Sequence, residues 1–582
     1  MIFDDLLNNI GTNLGDLITT IRNKELTGGL NLRRSVHLPL TIALQQQLNL
    51  PILFITDRND RALSIWEELN VWNPSLNRAI FAEPNNLFYE NVAWGDQVRR
   101  DRLSVLAQLA RFMIPGETPP QSPPFIVSSI RAVMTRTIPR REFLKATKTI
   151  KLGSHHSIDE LTRLWSDIGY ERVNTVIEPG QYSRRGGILD IWITSFNHPI
   201  RIEFFGDEIE SIRAFDPTTQ RTIKDAQLNQ RVIIPPAREF LLSNISELSI
   251  PEGEEITEYY LPQLHPLSAS LLDYLPQNAM VILDNLDFIR DMATEIDDKA
   301  MEIRRNLIKE GKISEDTPPP YLSWSEMEDD FSTHTLIHLG AENEIDNFSP
   351  IGQTLQSLFT AEEHFAGRLR SFIEHLQFLV SQHESAWVIT RQKARLEELW
   401  QEQASHLPTA LNQNQWVHFV SGSISEGWCF SPPNQTPIHV FSDNEIFGIR
   451  APEVRQRKRI INTDPEGEYT DLQPGDYVVH VDHGIGVFVG LVTRSIDNIE
   501  REYLCIEYAN NAQLFVPVYQ ADRVTRYIGS DKRQPTLSTL GSPEWRNIKN
   551  YVKEAVVEVA QELLELYAKR NVIEGHAFST DT

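Results

Sequence analysis

Arginine, carboxylate and aromatic side chains recur along short β-patterned segments between residues 170 and 205. In the segment IRIEFF at 200–205, the two-residue period of a strand places Arg201, Glu203 and Phe205 on one face. Neighbouring segments add Arg172, Arg184, Arg185, Asp190 and Trp192. Arginine and tryptophan are enriched at the centres of protein interfaces, so this pattern predicts a surface that binds a partner. The alternative is a solvated face whose charges pair across strands, at about 0.2–1 kcal/mol per pair, and spacing alone does not separate the two.

A nucleotide-binding loop of the form G-x-x-x-x-G-K-[ST] is absent from the sequence. Where such a loop would open the first α/β unit, residues 26–39 read LTGGLNLRRSVHLP, which lacks the lysine and hydroxyl that hold phosphate and magnesium. Gly311 and Lys312 fit the end of a helix. The segment SLFTAEEH at 357–364 resembles the acidic box of a helicase motor, but Ala361 replaces its leading acid, and a helix start is the favoured interpretation. We therefore expect no nucleotide binding.

Metal binding is not predicted either. The chain has only two cysteines, Cys429 and Cys505, and the closest histidine pairs have no carboxylates at the spacing of a metal site. Two cysteines are also too few for a disulfide framework and suit a reducing compartment.

Length, charge and hydropathy limit the class of protein. The 582 residues are enough for several domains, and 41% hydrophobic with 23% charged residues is an ordinary globular composition. A net charge of −25 repels phosphate backbones, so any contact with nucleic acid must be local. No apolar run approaches the roughly 18 residues of a membrane span. The chain is predicted to be cytoplasmic, with no contact to a membrane.

The order of strand-like and helix-like segments predicts a multidomain α/β protein. Its parts are a parallel α/β layer, an inserted β-rich domain, a second small α/β domain, and a small C-terminal β-barrel followed by a long helix. The predicted boundaries are 1–144 and 233–345 for the layer, 145–232 for the insertion, 346–452 for the small α/β domain, 453–470 for a linker, 471–541 for the barrel and 542–582 for the helix. The apolar face of that last helix suggests that the sequence is the N-terminal piece of a longer protein.

One strand of the predicted barrel could bind a partner. Tyr503–Tyr508 alternates in polarity, and Pro517 marks the following strand as an edge or a bulge. An open edge can accept a strand from another protein. The alternative is that these side chains fill the interior of a small barrel.

Two long strings resemble known families. GYERV at 169–173, EPGQYSRRGGILDIW at 178–192 and PIRIEFFGDEIESIRAFDPTTQRT at 199–222 resemble domain 2 of the excision-repair protein UvrB and of its relatives, the transcription-repair coupling factors. The segments from 473 to 529 resemble the CarD-like RNA polymerase interaction domain of the coupling factors, which UvrB lacks. The missing phosphate loop also departs from UvrB, so the chain is identified with the coupling factors.

This resemblance implies a degenerate helicase-like module without ATPase activity, and an adaptor that acts as a monomer. In the family the inserted domain binds UvrA, and the matching positions here are Arg172, Arg185, Arg201 and Glu203. The barrel binds the β subunit of RNA polymerase by main-chain pairing, which by position falls on Leu504, Cys505 and Ile506. ATP, magnesium and DNA belong to a translocase motor expected outside this chain. The alternative function is a divergent UvrB-type, NTP-dependent DNA helicase subunit.

Overall fold

The computed structural model describes residues 3–23, 29–114, 122–223, 231–241, 256–267, 269–340, 349–404, 416–448, 474–480, 483–496, 499–517, 524–527 and 537–540. The chain divides into two compact units, Met1–Val454 and Arg455–Thr582. Among the described residues, no helix is both long enough and apolar enough to cross a membrane.

The described α-helices all lie in the first unit. Their bounds are α1 Asp4–Thr12, α2 Gly15–Asn23, α3 His37–Leu48, α4 Asn59–Trp72, α5 Asp96–Ala110, α6 Ile130–Met134, α7 Arg140–Ala146, α8 Ile158–Asp167, α9 Leu261–Leu264, α10 Leu286–Lys309, α11 Trp324–Phe331, α12 Pro350–Leu358, α13 Leu369–Ser381, α14 Lys393–Ala404 and α15 Asp443–Phe447. Helix α10 ends before Gly311, whose φ of +70° suits glycine and agrees with the predicted helix end.

The strands form five sheets across the two units. Their bounds are β1 Ile52–Thr56, β2 Arg78–Phe81, β3 Phe125–Ser129, β4 Lys148–Lys151, β5 Glu171–Arg172, β6 Gln181–Arg185, β7 Ile188–Ile191, β8 Ile200–Phe205, β9 Glu208–Ala214, β10 Arg231–Ile234, β11 Met280–Leu283, β12 Thr335–His338, β13 Phe359–Thr360, β14 Ser385–Thr390, β15 Val417–Ser421, β16 Trp428–Phe430, β17 Ile438–Phe441, β18 Tyr477–His480, β19 Gly484–Ile496, β20 Ile499–Glu507, β21 Gln513–Pro517 and β22 Val524–Arg526.

The first sheet is parallel, with the order β12-β11-β1-β3-β2. Every residue of β1, β3 and β11 is buried, because helices cover both faces of a parallel sheet and leave no strand face for water. Its strands come from both sides of the inserted segment. The predicted segments 1–144 and 233–345 therefore contribute to one α/β layer.

The insertion is a sheet with the order β5-β6-β7-β8-β9, antiparallel except for the β5–β6 pair. Gly186 and Gly206 have φ values of +60° and +64° at the β6–β7 and β8–β9 turns, a conformation that glycine adopts without strain. The buried face packs on α8, where Trp165 meets Tyr182 edge-to-face at a centroid distance of 5.6 Å. The antiparallel pair of β4 and β10 lies where the chain enters and leaves this insertion.

The small α/β domain contains a mixed sheet with the order β13-β16-β17-β14-β15. The predicted helix start at 357–364 is wrong. Residues 359–360 form β13, and Glu362 and Glu363 lie in the loop between it and α13.

The second unit contains an antiparallel sheet with the order β21-β20-β19-β18-β22. Its core includes Val478, Phe488, Leu504, Ile506 and Val516. Closure of this sheet into a barrel stays a prediction, since β21 and β22 do not pair in the part of the chain that the structure describes. The predicted linker at 453–470 and long helix at 542–582 lie outside the described residues.

Candidate functional site

Strand register places three of the four predicted UvrA-binding residues on one face of the inserted sheet. Arg185 pairs with Ile188, which in turn pairs with Glu203. Arg201 stands in the adjacent row, opposite Asp190. We call this surface, formed by Arg185, Arg201 and Glu203, the arginine face. Arg172 is not part of this surface. It lies on edge strand β5 and pairs with Tyr182, whose side chain faces the core on the other side of the sheet.

Arg201 is held inside the fold by a two-point ion pair. Its Nε and Nη2 atoms each donate a hydrogen bond of 2.8 Å to the carboxylate of Asp190, whose side chain is 1% exposed. The guanidinium also lies 4.6 Å from the ring centre of Phe215. The hydrogen bond with Asp190 raises the pKa of Arg201 above its usual value. Arg201 is therefore better described as one half of a cross-strand charge pair than as a residue that binds a partner.

Glu203 is also paired, but it is more accessible. It accepts a hydrogen bond of 2.8 Å from Ser211 and forms an ion pair with Arg213. The Ser211 hydrogen bond, aided by Arg213, lowers the pKa of Glu203, so the carboxylate is ionised at neutral pH. Its side chain is 29% exposed, so it can still contact a partner.

Among the three residues that define the arginine face, Arg185 is the exposed cation. Its Nη2 donates to the Thr175 hydroxyl at 2.8 Å and to the Asn174 carbonyl at 3.1 Å. These contacts with neutral groups orient the guanidinium without neutralising its charge. Phe205 and Ile177 are exposed apolar side chains of the same sheet and of the loop before β6, at 78% and 59%. An oriented charge and exposed apolar groups are the combination found at interface hot spots.

Leu504, Cys505 and Ile506 do not lie on a free edge. Strand β20 pairs with β19 on one side and with β21 on the other, and both ladders include these three residues. All three are buried, and Leu504 and Ile506 belong to the core of the sheet. The predicted pairing of a partner strand with this stretch is therefore wrong, because its main-chain groups already form ladders on both sides. Strand β21, which contains Pro517, is an edge of the described sheet, as its proline predicts.

The carboxyl end of the parallel sheet carries a buried carboxylate that sequence analysis missed. Asp284 follows β11, at the edge where parallel α/β sheets bind ligands. His37 Nδ1 lies 2.6 Å from Asp284 Oδ1, and Arg34 and Arg61 lie 3.2 Å and 3.3 Å from Oδ2. The signal in the sequence is the run AMVILDN at 279–285, an apolar strand followed by an aspartate.

The charge of Asp284 is fully compensated by the protein itself. Burial would raise the pKa of Asp284, but the His37 hydrogen bond and the charges of Arg61 and Arg34 outweigh it and hold that pKa well below its usual range. We call these four residues the Asp284 cluster. Arg34 and Arg61 already contact the carboxylate oxygen to which a magnesium ion would have to bind.

Comparison with known proteins identifies two domains in the chain. Residues 149–240 match the model of the UvrB interaction domain, and residues 472–528 match the CarD-like/TRCF RID domain. These matches cover the arginine face and the sheet of the second unit.

Curated relatives extend the similarity over most of the chain. The Transcription-repair-coupling factor of Bacillus subtilis (strain 168) is 31% identical over 93% of this chain and 48% of its own length. Its counterpart in Staphylococcus aureus (strain MRSA252) is 28% identical over 75% of this chain and 40% of its own length. The chain thus spans less than half the length of these relatives. The resemblance predicted from the sequence is confirmed.

Proposed function

Because this chain is a relative of the transcription-repair-coupling factors, we propose that it is the adaptor part of such a factor, binding UvrA and the β subunit of RNA polymerase. The UvrB interaction domain would bind UvrA, and the CarD-like domain would bind stalled polymerase. Recruitment of UvrA to a stalled polymerase would then start nucleotide excision repair.

The proposal that this domain binds UvrA rests mainly on the exposure and orientation of Arg185. It is exposed, oriented by Thr175 and Asn174, and on the same face as the ionised Glu203. Arg201 contributes to this site by fixing strands β7 and β8, because its own charge is used on Asp190. Arg172 supplies a second exposed cation at the sheet edge.

The polymerase assignment rests on the outer surfaces of the second sheet rather than on its core. Val489, Leu491 and Val492 of β19 are exposed apolar residues, with Leu491 59% exposed. Leu491 and Val492 are consecutive and lie on opposite faces of the strand, so both faces of β19 present exposed apolar side chains of the kind found at interaction sites. The edge strand β21 offers main-chain groups for strand addition, in place of Leu504, Cys505 and Ile506.

The alternative function, an NTP-dependent helicase subunit, is disfavoured by the Asp284 cluster. A motor needs a strand-end carboxylate that is free to order magnesium, and here two arginines and a histidine contact it. Titration of the chain with magnesium-ATP discriminates the two functions. We expect no binding, and a dissociation constant below roughly 100 μM, about −5.5 kcal/mol, would favour the helicase.

A bridging experiment tests the adaptor directly. The polymerase β subunit is immobilised, the 582-residue chain is added, and UvrA is applied last. UvrA should be retained only when the chain is present, and retention should fall when Arg185 is replaced by alanine. Equal retention of UvrA with and without the chain would contradict the proposal.

A further inference from the structure

Two paired strands and two adjoining loop residues of the small α/β domain bring four chemically reactive side chains together. Cys429 of β16 stands directly opposite His439 of β17. On the other side Cys429 pairs with Thr360, and Glu362 follows Thr360 by two residues. His439 also pairs with Ala386 of β14, and Glu384 lies two residues before Ala386. Residues directly opposite each other on paired strands share a face, so Cys429 and His439 point to one patch. Glu362 and Glu384 lie just outside β13 and β14, and their contacts with His439 bring them to the same patch.

The contacts within this patch are short and largely shielded from water. Glu362 Oε1 lies 2.8 Å from His439 Nδ1, and Glu384 Oε2 lies 3.2 Å from Nε2 of the same ring. The Cys429 sulfur, the His439 nitrogen and the Glu362 oxygen all lie within 4.8 Å of one another. The Glu362 and His439 side chains are 5% and 12% exposed, so the patch is buried yet reachable from solvent.

We propose that Cys429, His439 and Glu362 form a binding site for a zinc-type transition-metal ion, with Glu384 as the residue that positions the histidine. A tetrahedral site with bonds of 2.0–2.3 Å has ligand–ligand edges of about 3.3–3.8 Å. The His439–Glu362 separation of 2.8 Å is shorter than such an edge, and the separations from the Cys429 sulfur are at most 4.8 Å, so side-chain shifts of about 1 Å or less would bring the three atoms to this geometry. These ligands are far apart in the chain, so spacing along the sequence does not predict this site.

The donor atoms determine the class of ion. A thiolate with an imidazole nitrogen suits zinc and related transition metals, whereas magnesium and calcium prefer sites made only of oxygen. Binding forms metal–sulfur, metal–nitrogen and metal–oxygen bonds and breaks the S–H and Nδ1–H bonds, whose protons pass to solvent. The Cys429 thiolate and the Glu362 carboxylate then balance the two charges of the ion.

Glu384 has the role that a second carboxylate plays in many zinc sites. It accepts the hydrogen bond of Nε2, which leaves Nδ1 to face Glu362 and Cys429. Such a partner fixes the tautomer and the orientation of a ligating histidine. Its removal should weaken metal binding without abolishing it.

The competing explanation is an ion cluster without metal. Burial lowers the pKa of His439, but hydrogen bonds with Cys429 and Glu362 raise it to about 10. A protonated ring between two carboxylates would account for those contacts. An ion cluster without metal would give no thiolate-to-metal absorption band, whereas a metal site would. The experiment distinguishes the two by this band.

The test is metal binding by the whole chain after dialysis against a chelator. Zinc is titrated in competition with a chromophoric chelator, and cobalt is used as a spectroscopic probe. We expect one zinc per chain and a thiolate-to-cobalt charge-transfer band with the visible bands of tetrahedral cobalt. Cys429→Ser and His439→Gln should each weaken zinc binding at least 100-fold, and Glu384→Gln by about 10–100-fold.

The second cysteine supplies the matched control. In Cys505→Ser the only thiol is Cys429, so the cobalt band must persist in this variant and disappear in Cys429→Ser. Circular dichroism of each metal-free variant checks the fold. If Cys429→Ser does not fold, the band in Cys505→Ser alone decides. Absence of that band, or zinc affinity unchanged in a folded Cys429→Ser, would overturn the proposal and leave the ion cluster as the explanation.

Discussion

Arg201 and Asp190 stand directly opposite each other on β8 and β7, and two hydrogen bonds of 2.8 Å join the guanidinium to the carboxylate. Asp190 is buried, so the pair links two strands and neutralises an interior charge. This relationship separates structural from binding roles on the arginine face. Arg201 is occupied within the sheet, whereas Arg185 is directed to solvent.

Arg201→Ala should destabilise the first unit by on the order of 3 kcal/mol, because it leaves the Asp190 carboxylate buried without a partner. The measurement is urea unfolding, or the melting temperature, of the whole chain. The control is Arg213→Ala on the same face, whose arginine is 44% exposed. A surface pair contributes at most about 1 kcal/mol, so equal losses in the two variants would contradict this role of Arg201.

Arg185→Ala should weaken UvrA binding by about 2 kcal/mol, a change of roughly 30-fold in the dissociation constant, while the chain melts normally. Adding Arg172→Ala should weaken binding further. Arg163→Ala removes the same charge from the exposed side of α8 and serves as the control. Unchanged capture of UvrA by a stably folded double variant would show that this face is only solvated.

Asp284→Asn should destabilise the first unit by about 3 kcal/mol or more at neutral pH, since it leaves His37 and Arg61 without their carboxylate. The folded-state pKa of Asp284 is depressed. Its stabilising contribution is therefore complete above the unfolded value of about 3.9 and is lost as pH falls through the lower folded value.

The free energies of unfolding of wild type and Asp284→Asn should accordingly converge as the pH falls below about 4. Asp57→Asn is the matched control, because Asp57 contacts Arg34 at 3.4 Å but is more exposed and should contribute at most about 1 kcal/mol. A gap between wild type and Asp284→Asn that stays constant down to low pH would count against the assigned pKa direction.

Leu504→Arg and Leu491→Arg should have opposite consequences, although the two residues are register partners on β20 and β19. Leu504 is 1% exposed, so a buried arginine there should cost several kcal/mol and unfold the sheet. Leu491 is 59% exposed, so its replacement should leave the fold intact and weaken polymerase binding. Circular dichroism, followed by binding to the β subunit, distinguishes the two. A folded Leu491→Arg with wild-type affinity would remove β19 from the proposed site.

The sequence by itself determined the local elements and the pattern of their faces. The alternation in 200–205 predicts which face of β8 is buried, and the structure agrees, with Ile200 and Ile202 at 0% exposure. The apolar runs predict β1, β3 and β11, since strands buried on both faces of a parallel sheet are nearly continuous in apolar residues. These features depend on neighbours a few residues apart, which a single sequence displays.

Only the tertiary structure decided which distant residues meet. The partner of Asp284 is His37, 247 positions away, and Glu362 is 77 positions from His439. The central place of β20, which removes Leu504 from a free edge, depends on pairing with both β19 and β21. The physical reason is that such contacts arise from strand order and register. Packing of the whole sheet fixes both, and the spacing of residues along one segment does not.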